Sequence, residues 1–228
     1  MQQSFGTNIS NNIVYSKRFY NPRLPRISQD ENGIAKLNSF VPPKWMHNNY
    51  FFGEKIENSN IPNCYSEFFS HLFPSENSKE YTLDWIANSL RRQNQTYLIL
   101  IGEKGIGKNI FSQILRKIHG EKNSIETSSK TLNGEFNSEL SGRTLVVFDE
   151  LMLEDNEIAL DRFKSLVNPQ IRIEGKGQNA DFLDNFLNVC VLSNRDTAIP
   201  LEDAEDRRYS FVDLTEVPLI NQSISKST

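Results

Sequence analysis

The octapeptide Gly102-Glu103-Lys104-Gly105-Ile106-Gly107-Lys108-Asn109 directly follows an apolar run, 96–101 (TYLILI), and directly precedes a helical pattern that starts at Lys108. That context suits a phosphate chain. Glycines let the backbone wrap the anion with its N–H groups pointing inward, and the N-terminus of the following helix adds a positive dipole. Lys108 then reaches toward the β- and γ-phosphates of a nucleotide. Residues 102–110, ending at Ile110, are the expected nucleotide-binding stretch, and ATP with Mg²⁺ the expected ligand. The position after the lysine usually carries a hydroxyl that ligates magnesium. Here it is Asn109, whose amide oxygen is a less standard ligand.

Three further groups complete the chemistry. Leu145-Val-Val-Phe-Asp149-Glu150 is a buried-strand pattern ending in two acids, with Asp149 placed 41 residues after Lys108. The carboxylates fall at the sheet edge where α/β folds bind ligands. Asp149 suits Mg²⁺ or its water shell, and Glu150 suits activation of an attacking water. A second buried strand ends in Ser193-Asn194, which puts the Asn194 amide where it could orient that water. Asp206-Arg207-Arg208-Tyr209 enters the last strand, and an arginine there could serve as a surface charge or reach a neighbouring subunit's γ-phosphate.

These groups need elements to hold them. Continuous apolar strands at 96–101, 144–148, 188–192 and 209–214 alternate with helices at 108–119 and 156–167, which predicts a parallel sheet covered on both faces. Ile171–Ile173, a Gly175-Lys176-Gly177 turn and a returning segment predict a β-hairpin. Upstream, 64–73 and 78–93 have helical spacing and predict a small N-terminal helical collar, with Phe68, Phe69 and Phe73 as its packing stripe. The expected organisation is an extended arm or linker over 1–38, the collar region over 39–95, the nucleotide core over 96–216 and a flexible tail over 217–228.

Composition sets the outer bounds. A net charge of −4 excludes a globally basic nucleic-acid coat protein, but not a local basic patch. No apolar run approaches the roughly 20 residues that cross a bilayer, and the N-terminus lacks a signal-peptide core. Cys64 and Cys190 are expected as free thiols, and His47, His71 and His119 suggest no metal site. A soluble cytoplasmic protein is the expectation.

The motifs together resemble the superfamily 3 helicases, a branch of the AAA+ ATPases, and within them the phage, plasmid and poxvirus-type primase-helicase ATPase domain. The resemblance covers residues 40–214. The compact nucleotide core, Gly102 through Asn194, takes 93 residues, and Asn after the loop lysine is also similar to the phage subgroup. It implies a P-loop NTPase fold and an ATP-hydrolysing DNA helicase that moves along single-stranded DNA during phage or mobile-element replication. The assembly it implies is a homo-oligomeric ring, a hexamer, in host cytoplasm, with a fused or associated primase or polymerase. Lys176 would be the DNA-binding residue of a channel hairpin, and Lys164 would reach nucleotide across the subunit interface. Arg208 would be the arginine finger, with Arg207 as the fallback. The alternative reading is a nucleotide-dependent DNA-binding assembly module with little turnover.

Overall fold

A computed structural model describes residues 6–8, 13–15, 17–46, 61–134, 137–151, 153, 156–177, 179–194 and 206–219. The chain divides into two compact units, Met1–Glu57 and Asn58–Thr228.

In the first unit, β1 (Gly6–Asn8) pairs antiparallel with β2 (Ile13–Tyr15). A second sheet places β5 (Ala35–Asn38) between β3 (Lys17–Phe19), parallel to it, and β4 (Ile27–Gln29), antiparallel to it. These residues were expected to run as an extended arm. Strands of three or four residues leave too little periodicity to read, and one buried amide ties this sheet to its loops. Asn38 donates from Nδ2 to the carbonyls of Asn21 (2.6 Å) and Leu24 (2.8 Å) and accepts at Oδ1 from the Asn21 and Phe40 amides. A buried polar side chain is stable only when satisfied in this way.

The second unit opens with α1 (Asn63–Leu72) and α2 (Glu76–Ser89), then alternates β6 (Tyr97–Ile101), α3 (Lys108–His119), β7 (Ser124–Thr127), α4 (Lys130–Asn133), β8 (Leu145–Asp149) and α5 (Glu157–Ser165). A hairpin of β9 (Gln170–Ile173) and β10 (Asp181–Asp184) follows, then β11 (Asn188–Ser193) and β12 (Tyr209–Val212). Five strands form one parallel sheet in the order β12-β6-β11-β8-β7. The short polar strand β7 (SIET) has no apolar run to announce it; it holds the sheet edge beside β8.

Alternation along the strands splits the core into two layers. Ile99, Val146, Phe148, Val189 and Val191 face α5, where Ala159, Leu160 and Phe163 are buried. Tyr97 stacks on Phe163 with ring centroids 4.5 Å apart. Leu98, Leu100, Val147, Cys190 and Leu192 face the opposite layer, built from α3 (Phe111, Leu115), α2 (Trp85, Ile86) and the end of α1 (Leu72, Phe73). The two helices expected as a collar therefore share one apolar layer with α3. The sheet needs that cover, because both of its faces are apolar.

Candidate functional site

Three strands deliver the expected residues to one sheet edge. The Gly102 amide donates to the Ser193 carbonyl (3.1 Å), and the Glu150 amide donates to the Leu192 carbonyl (3.0 Å). The segments after β6 and β8 are thus stitched to the end of β11, which lies between them. After β6 the chain turns through Gly105 (φ 86°) and Gly107 (φ 112°) before α3 begins at Lys108. Only glycine adopts such angles at little cost. Space enforces the same choice, since a Cβ on Gly107 would stand 2.9 Å from the Phe68 ring and one on Gly102 would stand 2.6 Å from Ile106 Cδ1. Ile106 is fully buried and roots the loop in the core.

Lys108 is 7% exposed. Its ammonium donates to the carbonyls of Gly102 (2.5 Å) and Glu103 (2.8 Å) and to Asn194 Oδ1 (2.8 Å). Burial lowers its pKa, and the charges of Asp149, Glu103 and Glu150 work against that shift. Asn194 passes the contact on, donating from Nδ2 to Glu150 Oε1 (3.2 Å). Glu150 itself is exposed at φ 53°, the one non-glycine positive φ among the described residues. Such backbone costs energy and gathers at sites that use it. Asp149 lies beside it with its pKa raised, by burial first and then by the negative charges of Glu126 and Glu150.

The groups border a cavity of about 470 Å³, whose walls also include Lys104, Asn109, Ile110 and Leu219. That volume is of ligand-site size. Lys108 could meet the phosphates of a nucleotide there, and Asp149 with the Asn109 amide could hold a magnesium ion beside them. Among the described residues no group of three or more His, Cys, Asp or Glu could hold a metal alone. Magnesium suits such a site, because it keeps waters and takes one or two carboxylates plus phosphate oxygens.

Other expected residues lie elsewhere. The Arg208 carbonyl accepts from the Tyr97 amide (2.7 Å), which puts Arg208 at the opposite end of the sheet from the glycine loop. Five strand residues separate the two ends, about 16 Å at strand rise. Asp206 grips the Arg208 guanidinium through Nε (2.9 Å) and Nη2 (2.5 Å), raising the pKa of the arginine and lowering its own; Lys164, at the end of α5, lowers it further. Arg207 is exposed. Lys176 sits exposed at the hairpin tip beside Gly177 (φ 71°).

Two contributors escape sequence reading. The Leu219 amide donates to the Gly105 carbonyl (2.9 Å), so a residue expected to belong to the tail touches the loop. Residues 220–228 of that tail lie outside the described residues. Glu126, held by Ser112 Oγ (2.7 Å), acts on Asp149 from β7, a strand with no apolar signature.

The chain matches a family of unknown function, DUF5906, over residues 100–208. Its parallel sheet flanked by helices is consistent with a P-loop or AAA+-like arrangement. Among particular relatives, the DNA primase-polymerase of Nitratiruptor phage NrS-1 is 24% identical over 206 residues, which is 87% of this chain and 27% of that protein. Two solved apo structures of the NrS-1 C-terminal region share the fold, with TM-scores of 0.77 and 0.76 at 22% identity. Each covers 93% of this chain and 50% of the solved chain. The chain thus spans about a quarter of the curated relative and half of the solved ones. Among the described residues no helix is long and apolar enough to cross a membrane.

Proposed function

We propose that this chain is the ATPase domain of a ring-forming DNA helicase of superfamily 3 type, which couples ATP hydrolysis to movement along single-stranded DNA in phage or mobile-element replication. One observation carries the reading: Lys108, Asn194 and Glu150 form a hydrogen-bonded array beside a glycine loop at the C-terminal edge of a parallel sheet. The relation to a phage primase-polymerase supports both a nucleotide-binding enzyme and a place beside a fused or associated primase or polymerase.

The residues divide the work. Loop amides over 102–110 line the phosphate chain, and Lys108 turns its ammonium from the Gly102 and Glu103 carbonyls to the β- and γ-phosphates. Asp149 and Asn109 would hold Mg²⁺, which would supply charge neutralisation at the transferring phosphoryl group. Asn194 orients a water, and Glu150 takes its proton during in-line attack. An arginine from a neighbouring subunit offsets the charge that develops. Both candidates sit at the far end of the sheet from their own loop, as a group serving the next subunit would. Arg207 is exposed and needs no ion pair broken, which supports it ahead of Arg208. Lys164 lies at that same end and would sense the neighbour's nucleotide. Six Lys176 tips around a channel would follow a phosphate backbone without reading bases. The site of action would be the host cytoplasm.

Lys108→Ala should abolish ATP hydrolysis, and Lys176→Ala should remove its stimulation by single-stranded DNA. A Lys176→Ala protein stimulated like its parent would overturn the hairpin assignment. The second reading, a DNA-binding assembly module with little turnover, is favoured by Asn109 and by the loop carbonyls that already satisfy the Lys108 ammonium.

A further inference from the structure

We infer that Asn137 is a positioning residue for the Lys176 hairpin, pinning β9 to the turn that leads into β8 and so fixing where the tip stands. The inference rests on the proposed function for its purpose, though not for its geometry. A two-stranded hairpin is marginal by itself. β9 buries Ile171 and Ile173 in the core, whereas β10 packs only the half-buried Leu183 against it and leaves Phe182 63% exposed, so the first strand carries most of the hairpin's burial. Close to the tip, that strand and the residue after it meet Asn137 three times. The Asn137 amide donates to the Glu174 carbonyl (3.1 Å), Oδ1 accepts from the Glu174 amide (2.8 Å), and Nδ2 donates to the Arg172 carbonyl (2.8 Å). One residue thus stands in for a third strand, two positions before Lys176.

On its other side Asn137 opens the turn Ser138–Leu140, accepting from the Leu140 amide (3.0 Å), with Leu140 buried in the core. Glu139 in that turn accepts from Thr131 Oγ1, which shares a hydrogen bond with Thr127 Oγ1 (2.5 Å) at the end of β7. The turn feeds β8, the strand that ends in Asp149. A displacement of the sheet edge on nucleotide binding therefore reaches the hairpin through packed and hydrogen-bonded structure, and Asn137 is the joint. Contiguity alone does not establish coupling; substitution at the joint does. Asparagine is required because the contact uses a donor and an acceptor on one short amide. Aspartate keeps the acceptor for Glu174 but sets a carboxylate against the Arg172 carbonyl.

The test uses the full chain and its Asn137→Ala and Asn137→Asp variants, with two readouts. Trypsin cleavage after Lys176 in the native protein should accelerate at least tenfold in Asn137→Ala, with the melting temperature within a few degrees of the parent. The ratio of hydrolysis with oligo-dT to hydrolysis without it should fall at least fivefold in both variants. The salt slope of oligo-dT binding should stay at the parent's value, because Lys176 still meets phosphate. Parental cleavage rates in Asn137→Ala would overturn the anchor, and a parental stimulation ratio would overturn its coupling role. A parent that oligo-dT does not stimulate would instead overturn the helicase reading, and the cleavage rates would still decide the anchor.

Discussion

Gly107 is where backbone and space impose the same residue. Its φ of 112° and the Phe68 ring 2.9 Å from an added Cβ both oppose a side chain. Strain of this kind costs on the order of 1–3 kcal/mol, and it falls on the loop proposed to present amides to phosphate. Gly107→Ala should weaken ATP binding at least tenfold while the melting temperature drops only a few degrees, as titration calorimetry and thermal denaturation would show. Gly177, also at positive φ but with nothing within 4 Å of an added Cβ, meets only the conformational penalty. The placement of the candidate site was legible at this scale wherever its residues sit in one run or end a strand. Lys108, Asp149, Glu150 and Asn194 were all read that way, and the structure brings Lys108, Asn194 and Glu150 into one hydrogen-bonded array with Asp149 beside it. Leu219, Glu126 and Asn137 were not legible. Each acts through a contact between distant segments, and none carries a local pattern.

Among the elements, α2, α3 and the residue that precedes β8 are joined by a buried imidazole. His119 Nε2 meets Ser89 Oγ (3.0 Å), and Nδ1 meets Thr144 Oγ1 (3.0 Å). Burial pushes its pKa down to about 3, so the ring stays neutral in the folded chain. The unfolded chain takes up a proton near pH 6.5. Stability from His119 is therefore complete above that pH and is lost as pH falls toward 3, at up to about 1.4 kcal/mol per pH unit. Between pH 7 and pH 5 the loss is about 2 kcal/mol by the same relation. Urea midpoints at those two pH values should show it, and His119→Gln, which cannot titrate, should flatten the difference. Strong apolar runs made β6, β8 and β11 readable, and amphipathic spacing did the same for α3 and α5. β7, α4 and the short strands of the first unit were not readable. They are too brief for periodicity to register, and neighbours hold them in place.

At the scale of the molecule, the net charge of −4 excludes a basic coat and says nothing against a channel lined by one lysine per subunit. The sheet has two chemically distinct ends. Lys108, Asn194 and Glu150 stand at one, and Arg207 and Arg208 stand about 16 Å away at the other. A single chain does not close that distance; a ring in which the far end of one subunit meets the loop of the next would do so. Whether the assembled site turns over is the question that separates a motor from an assembly module. The most direct test is steady-state ATP hydrolysis, with Mg²⁺ and single-stranded DNA, by the parent chain and by Glu150→Gln. The motor predicts ready turnover by the parent and a loss of at least a hundredfold in Glu150→Gln. Equal, near-background rates in the two proteins would contradict it.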